Sequence, residues 1–233
     1  MKLLKVIGVP MLAVCVLGMT GCSSMTNTGK GALIGGGAGT GVGAGLGALI
    51  GGGKGAAIGA AIGAAVGTGA GVLIGKKMDK QQAELEAELA KQAQIEKTTD
   101  ANGLQAIKVT FNSGILFPTN GTTLNANAKA DLSKFASSLI NNPNTNVQIY
   151  GYTDDTGSLA VNERVSTGRA DAVRNYLLNS GVQANRLSAQ GLPMQDYVAS
   201  NSTPEGRAQN RRVEIYITAN QQMIDAANAG TLK

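Results

Sequence analysis

An arginine stands where hydrocarbon is expected. Residues 158–179 read as one amphipathic helix when stepped at about 100° per residue. With Asn162 as zero, Leu159, Val165, Val173, Tyr176 and Leu177 fall within roughly 60° of it. Glu163, Arg164, Asp171 and Arg174 fall on the far side. Arg169 falls at about −20°, inside the apolar arc, beside Asn162 and Ser166. An unpaired buried charge costs several kcal/mol, so this guanidinium needs an internal carboxylate or an anionic ligand.

The preceding residues bring a carboxylate to the same place. Val147 to Tyr152 alternates like a strand and ends in the polar turn Thr153-Asp154-Asp155-Thr156-Gly157. Asp154 and Arg169 on one strand–turn–helix can hold a zwitterion, its ammonium on the aspartate and its carboxylate on the arginine. The competing structural reading has Asp154 or Asp155 capping the helix and Arg169 in an internal ion pair.

Three motifs carry a family resemblance. Gly151-Tyr-Thr-Asp154-Asp-Thr156-Gly157, Asn162-Glu-Arg-Val-Ser-Thr-Gly-Arg169-Ala170 and Asn210-Arg211-Arg212-Val213-Glu214-Ile215 resemble the OmpA C-terminal-like domain over about Ile107 to Thr218. The resemblance implies non-covalent binding of peptidoglycan, with Asp154 and Arg169 clasping the amino and carboxyl ends of the diaminopimelate side chain. It implies supporting contacts from Asn120, Thr156, Asn162 and Arg212. The family often has Phe-Asp in the first loop, where this chain has Phe117-Pro118.

The elements that must position these residues follow from periodicity. Ile107, Val109 and Phe111 alternate as a strand, and Leu124, Ala128, Leu132, Phe135 and Leu139 recur at helical spacing until Asn141-Asn142-Pro143. The strand at 147–152 and the Arg169 helix follow. Asn179-Ser180-Gly181 is a C-terminal stop. Residues 186–190 form a short strand, and Val213, Ile215 and Ile217 alternate in the last one. The expected fold is α/β (α+β), β-α-β-α-β-β, with helices packed on a small mixed sheet. The long loop 191–210 marks a candidate functional segment.

Composition narrows the chemistry. The chain has 233 residues and a formal charge of +5, of which Lys2 and Lys5 lie in a leader, leaving +3. No arginine run or series of stacking aromatics accompanies that charge, so nucleic acid is not an expected partner. There is no histidine, which excludes histidine-dependent hydrolases and histidine-ligated metal. No catalytic constellation and no cofactor site is visible, and the expectation is a binding protein rather than an enzyme.

The N-terminal third is organised differently. Met1-Lys2-Leu3-Leu4-Lys5 and the apolar run 6–17 form a signal peptide, residues 1–21. Met19-Thr20-Gly21-Cys22 resembles a lipobox, implying lipidation at Cys22, a tether over 22–30, and an outer-membrane anchor with the domain facing the periplasm. From Gly31 to Gly75 every fourth residue is glycine, and Gly29-Lys30-Gly31-Ala32 recurs as Gly53-Lys54-Gly55-Ala56. Small residues at this spacing let helices approach closely in lipid. Residues 31–76 therefore read as a glycine-zipper helical hairpin, resembling segments beside OmpA-like domains in lipoproteins of the YiaD type. The run holds no acid or arginine, so an ion-translocating stator has no charge to work with.

Residues 77–101 read as a solvated, charged helical spacer of roughly 30 Å, with a short coiled coil as its alternative. Residues 102–220 read as the binding domain and 221–233 as a polar, frayed tail. The expected function is an outer-membrane lipoprotein tying membrane to cell wall. A second reading makes the glycine ladder a membrane-embedded homo-oligomer or channel, with the C-terminal domain as its localiser.

Overall fold

The computed structural model describes residues 68–118 and 120–232. The leader, Cys22 and the glycine ladder as far as Gly67 lie outside the described residues, and the expectations of a lipid anchor and a hairpin lie there with them. The elements in chain order are α1 (Thr68–Leu89), β1 (Gln94–Thr99), β2 (Gln105–Asn112), the single turn α2 (Ser113–Leu116), α3 (Ala126–Asn141), β3 (Thr145–Tyr152), α4 (Leu159–Asn179), β4 (Leu187–Leu192), α5 (Pro204–Asn210), β5 (Arg212–Ala219) and α6 (Gln221–Asn228). The sheet order is β1-β2-β5-β3-β4. Only β3 and β4 are parallel, joined across α4, so the sheet is mixed as the patterns predict.

Alternation decides which face is covered. Ile107, Val109, Phe111, Val147, Ile149, Val213, Ile215 and Ile217 are fully buried on the helix-covered face. The residues between them, including Lys108, Thr110, Arg212, Glu214 and Tyr216, lie on the opposite face. Local chemistry sets the helix ends. The Asn125 side chain accepts from the Ala128 N–H at 2.8 Å and starts α3. The buried Arg186 closes the other end of α3, donating to the carbonyls of Leu139, Asn142 and Thr145 at 2.9, 3.0 and 2.7 Å.

Two expectations are corrected. The solvated spacer of residues 77–101 does not exist as such. Helix α1 runs unbroken from the last steps of the ladder to Leu89, and its Ile74, Met78, Leu85 and Leu89 are fully buried in the core. Residues 94–99 then pair antiparallel with β2 as an edge strand, and Lys97 pairs with Asp79 of α1. The domain therefore includes α1 and β1 and does not start near Asn102. The polar tail is also ordered. Asn220 caps α6, whose Met223, Ile224 and Ala227 are buried in the same core as α1. Among the described residues no helix is long and apolar enough to cross a membrane.

Candidate functional site

Two glycines set the position of the arginine helix. Gly151 and Gly191 are register partners on β3 and β4. A Cβ on Gly151 would lie 2.2 Å from the Ser166 carbonyl oxygen, and one on Gly191 would lie 2.5 Å from the Thr167 amide nitrogen. Together they form a trough in which the middle of α4 rests directly on the sheet. Arg169 follows within one turn. Ser158 caps α4 through the Val161 N–H, and Gly181 ends it at φ 101°.

Arg169 is buried, with 4% of its surface exposed. Its Nε donates to the Gly121 carbonyl at 3.0 Å, and its guanidinium carbon lies 5.4 Å from the centre of the Phe117 ring. Among the described residues no carboxylate lies within 4 Å of it. Burial lowers its pKa, the like charge of Arg211 adds to that, and Asp154 opposes both. Its hydrogen bond is to a neutral carbonyl, so the internal ion pair of the structural reading is not formed.

Asp154 follows β3 and is also buried. One carboxylate oxygen accepts from the Thr156 N–H at 2.9 Å, an Asx turn rather than a helix cap. The other accepts from Nη1 of Arg211. Burial pushes the carboxyl up, but the Thr156 hydrogen bond and Arg211 outweigh it and hold it below its ordinary value. Asp154 is therefore ionised at neutral pH. Arg211, with 40% of its side chain exposed, closes it from the solvent side.

The remaining predicted residues divide. Asn162 is buried and donates to the carbonyls of Thr156 and Ser158 at 2.9 and 3.2 Å, which locks the Asp154 turn onto α4. Thr156 is exposed within that turn. Asn120 is exposed with φ 56° and precedes the Gly121 carbonyl that holds Arg169. Arg212 lies elsewhere. It is buried, donates from Nε to Glu214 at 2.7 Å and to the Asp196 carbonyl at 2.8 Å, and stacks 3.8 Å from the centre of the Tyr152 ring. Arg211 closes α5 just before the strand and reaches Asp154, whereas Arg212, the first residue of β5, points to the far side of the sheet. Sequence reasoning raised the Arg211-Arg212 pair but put the site contact on Arg212. It missed the Gly121 carbonyl, for which no sequence signal exists.

All three non-glycine residues with positive φ among the described residues stand in the loops around this site: Asn120, Met194 and Asp196, at 56°, 52° and 52°. The Met194 N–H donates to the Thr153 hydroxyl at 3.1 Å and the Asp196 carbonyl accepts from Arg212, so the 192–200 loop is pinned beside the aspartate turn. The site thus offers a shielded cation and a nearby carboxylate under a partly exposed arginine. That arrangement can hold a ligand carrying both signs of charge.

Comparison with known proteins places the chain among familiar sequences and folds. Residues 116–211 match the OmpA family model, and residues 1–79 match the YMGG-like Gly-zipper model. The chain is 42% identical over 106 residues to Probable lipoprotein YiaD of Escherichia coli, covering 46% of this chain and 48% of that one. It is 40% identical over 112 residues to Peptidoglycan-binding protein ArfA of Mycobacterium tuberculosis, covering 48% of this chain and 34% of that one. The chain therefore spans less than half the length of either relative. Among solved structures, the cell wall anchor of the T6SS from Pseudomonas aeruginosa superposes with a TM-score of 0.52 at 26% identity, over 61% of this chain and 97% of that chain. Residues 116–211 thus resemble the OmpA family domain, and residues 1–79 resemble a YMGG-like Gly-zipper segment.

Proposed function

We propose that this protein is an outer-membrane lipoprotein that binds peptidoglycan non-covalently and ties the membrane to the cell wall. In this reading the diaminopimelate side chain is the ligand. Its carboxylate lies on Arg169 and its ammonium on Asp154, with Arg211 swinging outward to admit it. Asn162 and Thr156 hold the aspartate turn, and Asn120 borders the arginine from the first loop. The observation that carries the reading is Arg169, buried without a carboxylate partner among the described residues, beside an ionised Asp154. The family match and the similarity to Peptidoglycan-binding protein ArfA support peptidoglycan as the ligand class. Anchoring rests on the lipobox at Cys22, and binding rather than catalysis is the proposed role.

One site is of modest strength, since a hydrogen bond to a charged group contributes about 1.5–3 kcal/mol. A polymeric wall and a membrane-tethered protein add avidity. The test is co-sedimentation of full-length protein with purified diaminopimelate-type peptidoglycan. Asp154→Ala is expected to lose the pellet fraction while keeping its circular dichroism spectrum. Wild-type sedimentation by that folded variant refutes the clasp.

The Gly-zipper match favours a second reading for the N-terminal part, in which the ladder assembles copies of the chain in the membrane. Replacing Gly39, Gly43, Gly63 and Gly67 by leucine then abolishes cross-linked oligomers and leaves wall binding intact. Unchanged cross-linking in that variant removes the second reading.

A further inference from the structure

The outer face of the sheet carries a cleft of about 680 Å³ that the clasp does not use. Its volume is that of a small-ligand site. Apart from the exposed Lys91, its charges are matched within the cleft. Glu214 at the floor is buried and accepts from Arg212 at 2.7 Å and from the Tyr216 hydroxyl at 2.8 Å, with the Lys108 ammonium at 3.1 Å. Burial raises the Glu214 carboxyl, but Arg212, Lys108 and Tyr216 outweigh it and keep it ionised. The lining also carries five neutral amide or hydroxyl side chains: Gln92, Gln94, Thr110, Asn112 and Gln209. Among the described residues the side chains of Gln92, Thr110 and Gln209 make no hydrogen bond. Such a lining suits a neutral ligand rich in hydroxyl and amide groups rather than an ion.

The cleft and the clasp lie at one end of the sheet. Arg211 and Arg212 are adjacent, one facing Asp154 and the other lining the cleft. Tyr197 lies within electrostatic reach of Asp154 and Asp155, and its neighbour Val198 lines the cleft. Both are exposed, at 41% and 55%. Thr110 and Asn112 lie on β2, two strands from β3. The two sites face opposite sides of the sheet, so a chain joining them rounds the end of the sheet past Tyr197 and Val198.

We propose that this cleft is a second subsite that takes the N-acetylated sugar backbone to which the stem peptide is attached. The peptide crosses the Tyr197–Val198 rim, and Thr110 and Gln209 supply hydrogen bonds to hydroxyl and acetamido groups. The proposal rests on the peptidoglycan reading above and extends it from the peptide to the glycan.

The test is isothermal titration of the full-length protein in detergent micelles with two probes. One is the tripeptide L-Ala-D-Glu-diaminopimelate. The other is the same tripeptide on its N-acetylglucosaminyl-N-acetylmuramyl disaccharide. The disaccharide form is expected to bind about tenfold more tightly, the equivalent of one or two neutral hydrogen bonds. Thr110→Val and Gln209→Ala are each expected to reduce that ratio while leaving tripeptide affinity unchanged. Equal affinity of the wild type for both probes overturns the cleft and leaves the clasp standing. A preference that survives both variants places the sugar elsewhere and also overturns the cleft. Binding of neither probe overturns the clasp, and the cleft falls with it.

Discussion

Replacing Arg169 by methionine separates a ligand-binding cation from a structural one. If Arg169 belonged to a buried ion pair, removing it would orphan a carboxylate and cost about 3–5 kcal/mol of stability. It is 4% exposed, and its contacts are one hydrogen bond to the Gly121 carbonyl and the face of Phe117. The first contributes about 1.5–3 kcal/mol and the second about 0.5–2 kcal/mol. Against them stands the desolvation of an unpaired guanidinium, an effective several kcal/mol. These nearly cancel, so Arg169→Met is expected to change unfolding free energy by no more than about 1 kcal/mol. Methionine fills much of the same volume and creates little cavity. Binding responds differently. Two charge-assisted hydrogen bonds to a ligand carboxylate, at about 1.5–3 kcal/mol each, correspond to a loss of about a hundredfold or more. Urea melts followed by circular dichroism read the first effect, and titration with the tripeptide reads the second. A loss of 3 kcal/mol or more in the melts, or an unchanged titration, refutes the assignment.

Other consequences follow from the same geometry. Gly151→Ala drives a methyl group into the Ser166 carbonyl and lifts α4; a loss of about 1–3 kcal/mol in urea melts and weaker wall binding are expected. Leu85→Ala, in the segment expected to be solvated, is expected to cost about 2–5 kcal/mol by the same melts, whereas a spacer residue would cost under about 0.5 kcal/mol. Glu214 has its pKa lowered by pairing in the folded state. Its contribution is fully present above the unfolded value of about 4.5 and is lost as pH falls through the folded one. Thermal melts from pH 7 to pH 3 should therefore show a flatter acid limb for Glu214→Gln than for wild type, with lower stability at pH 7 because Arg212 is left unpaired.

Helical and strand periods are local properties of a chain, and here they were legible. The apolar arc of α4, the charge placed within it, the alternation of β2, β3 and β5, and the Asp154 turn all follow from residues close in sequence. The docking of α1 was missed for a specific reason. Ala70, Ile74, Met78, Leu85 and Leu89 form one buried stripe, but a boundary drawn on composition at Lys77 cut it into a glycine ladder and a polar spacer. The edge strand β1 has only Ile95 as a large apolar residue and owes its form to its antiparallel partner β2. Met223, Ile224 and Ala227 of α6 are too few to announce a helix without the core they bury against.

The amino-acid order by itself therefore determined that a cation and a carboxylate would be carried on one strand–turn–helix, because spacing alone fixes which side chains share a face. The tertiary structure alone decided what each of them touches. Arg211, between α5 and β5, reaches Asp154 across 57 residues of chain, whereas Arg212 on β5 pairs with Glu214 on the outer face. The first loop, 48 residues away along the chain, brings the Gly121 carbonyl to Arg169. The paired glycines of β3 and β4 bring α4 down far enough to bury that charge. Partners distant in sequence are chosen by how the sheet and helices pack, and no local period encodes that choice.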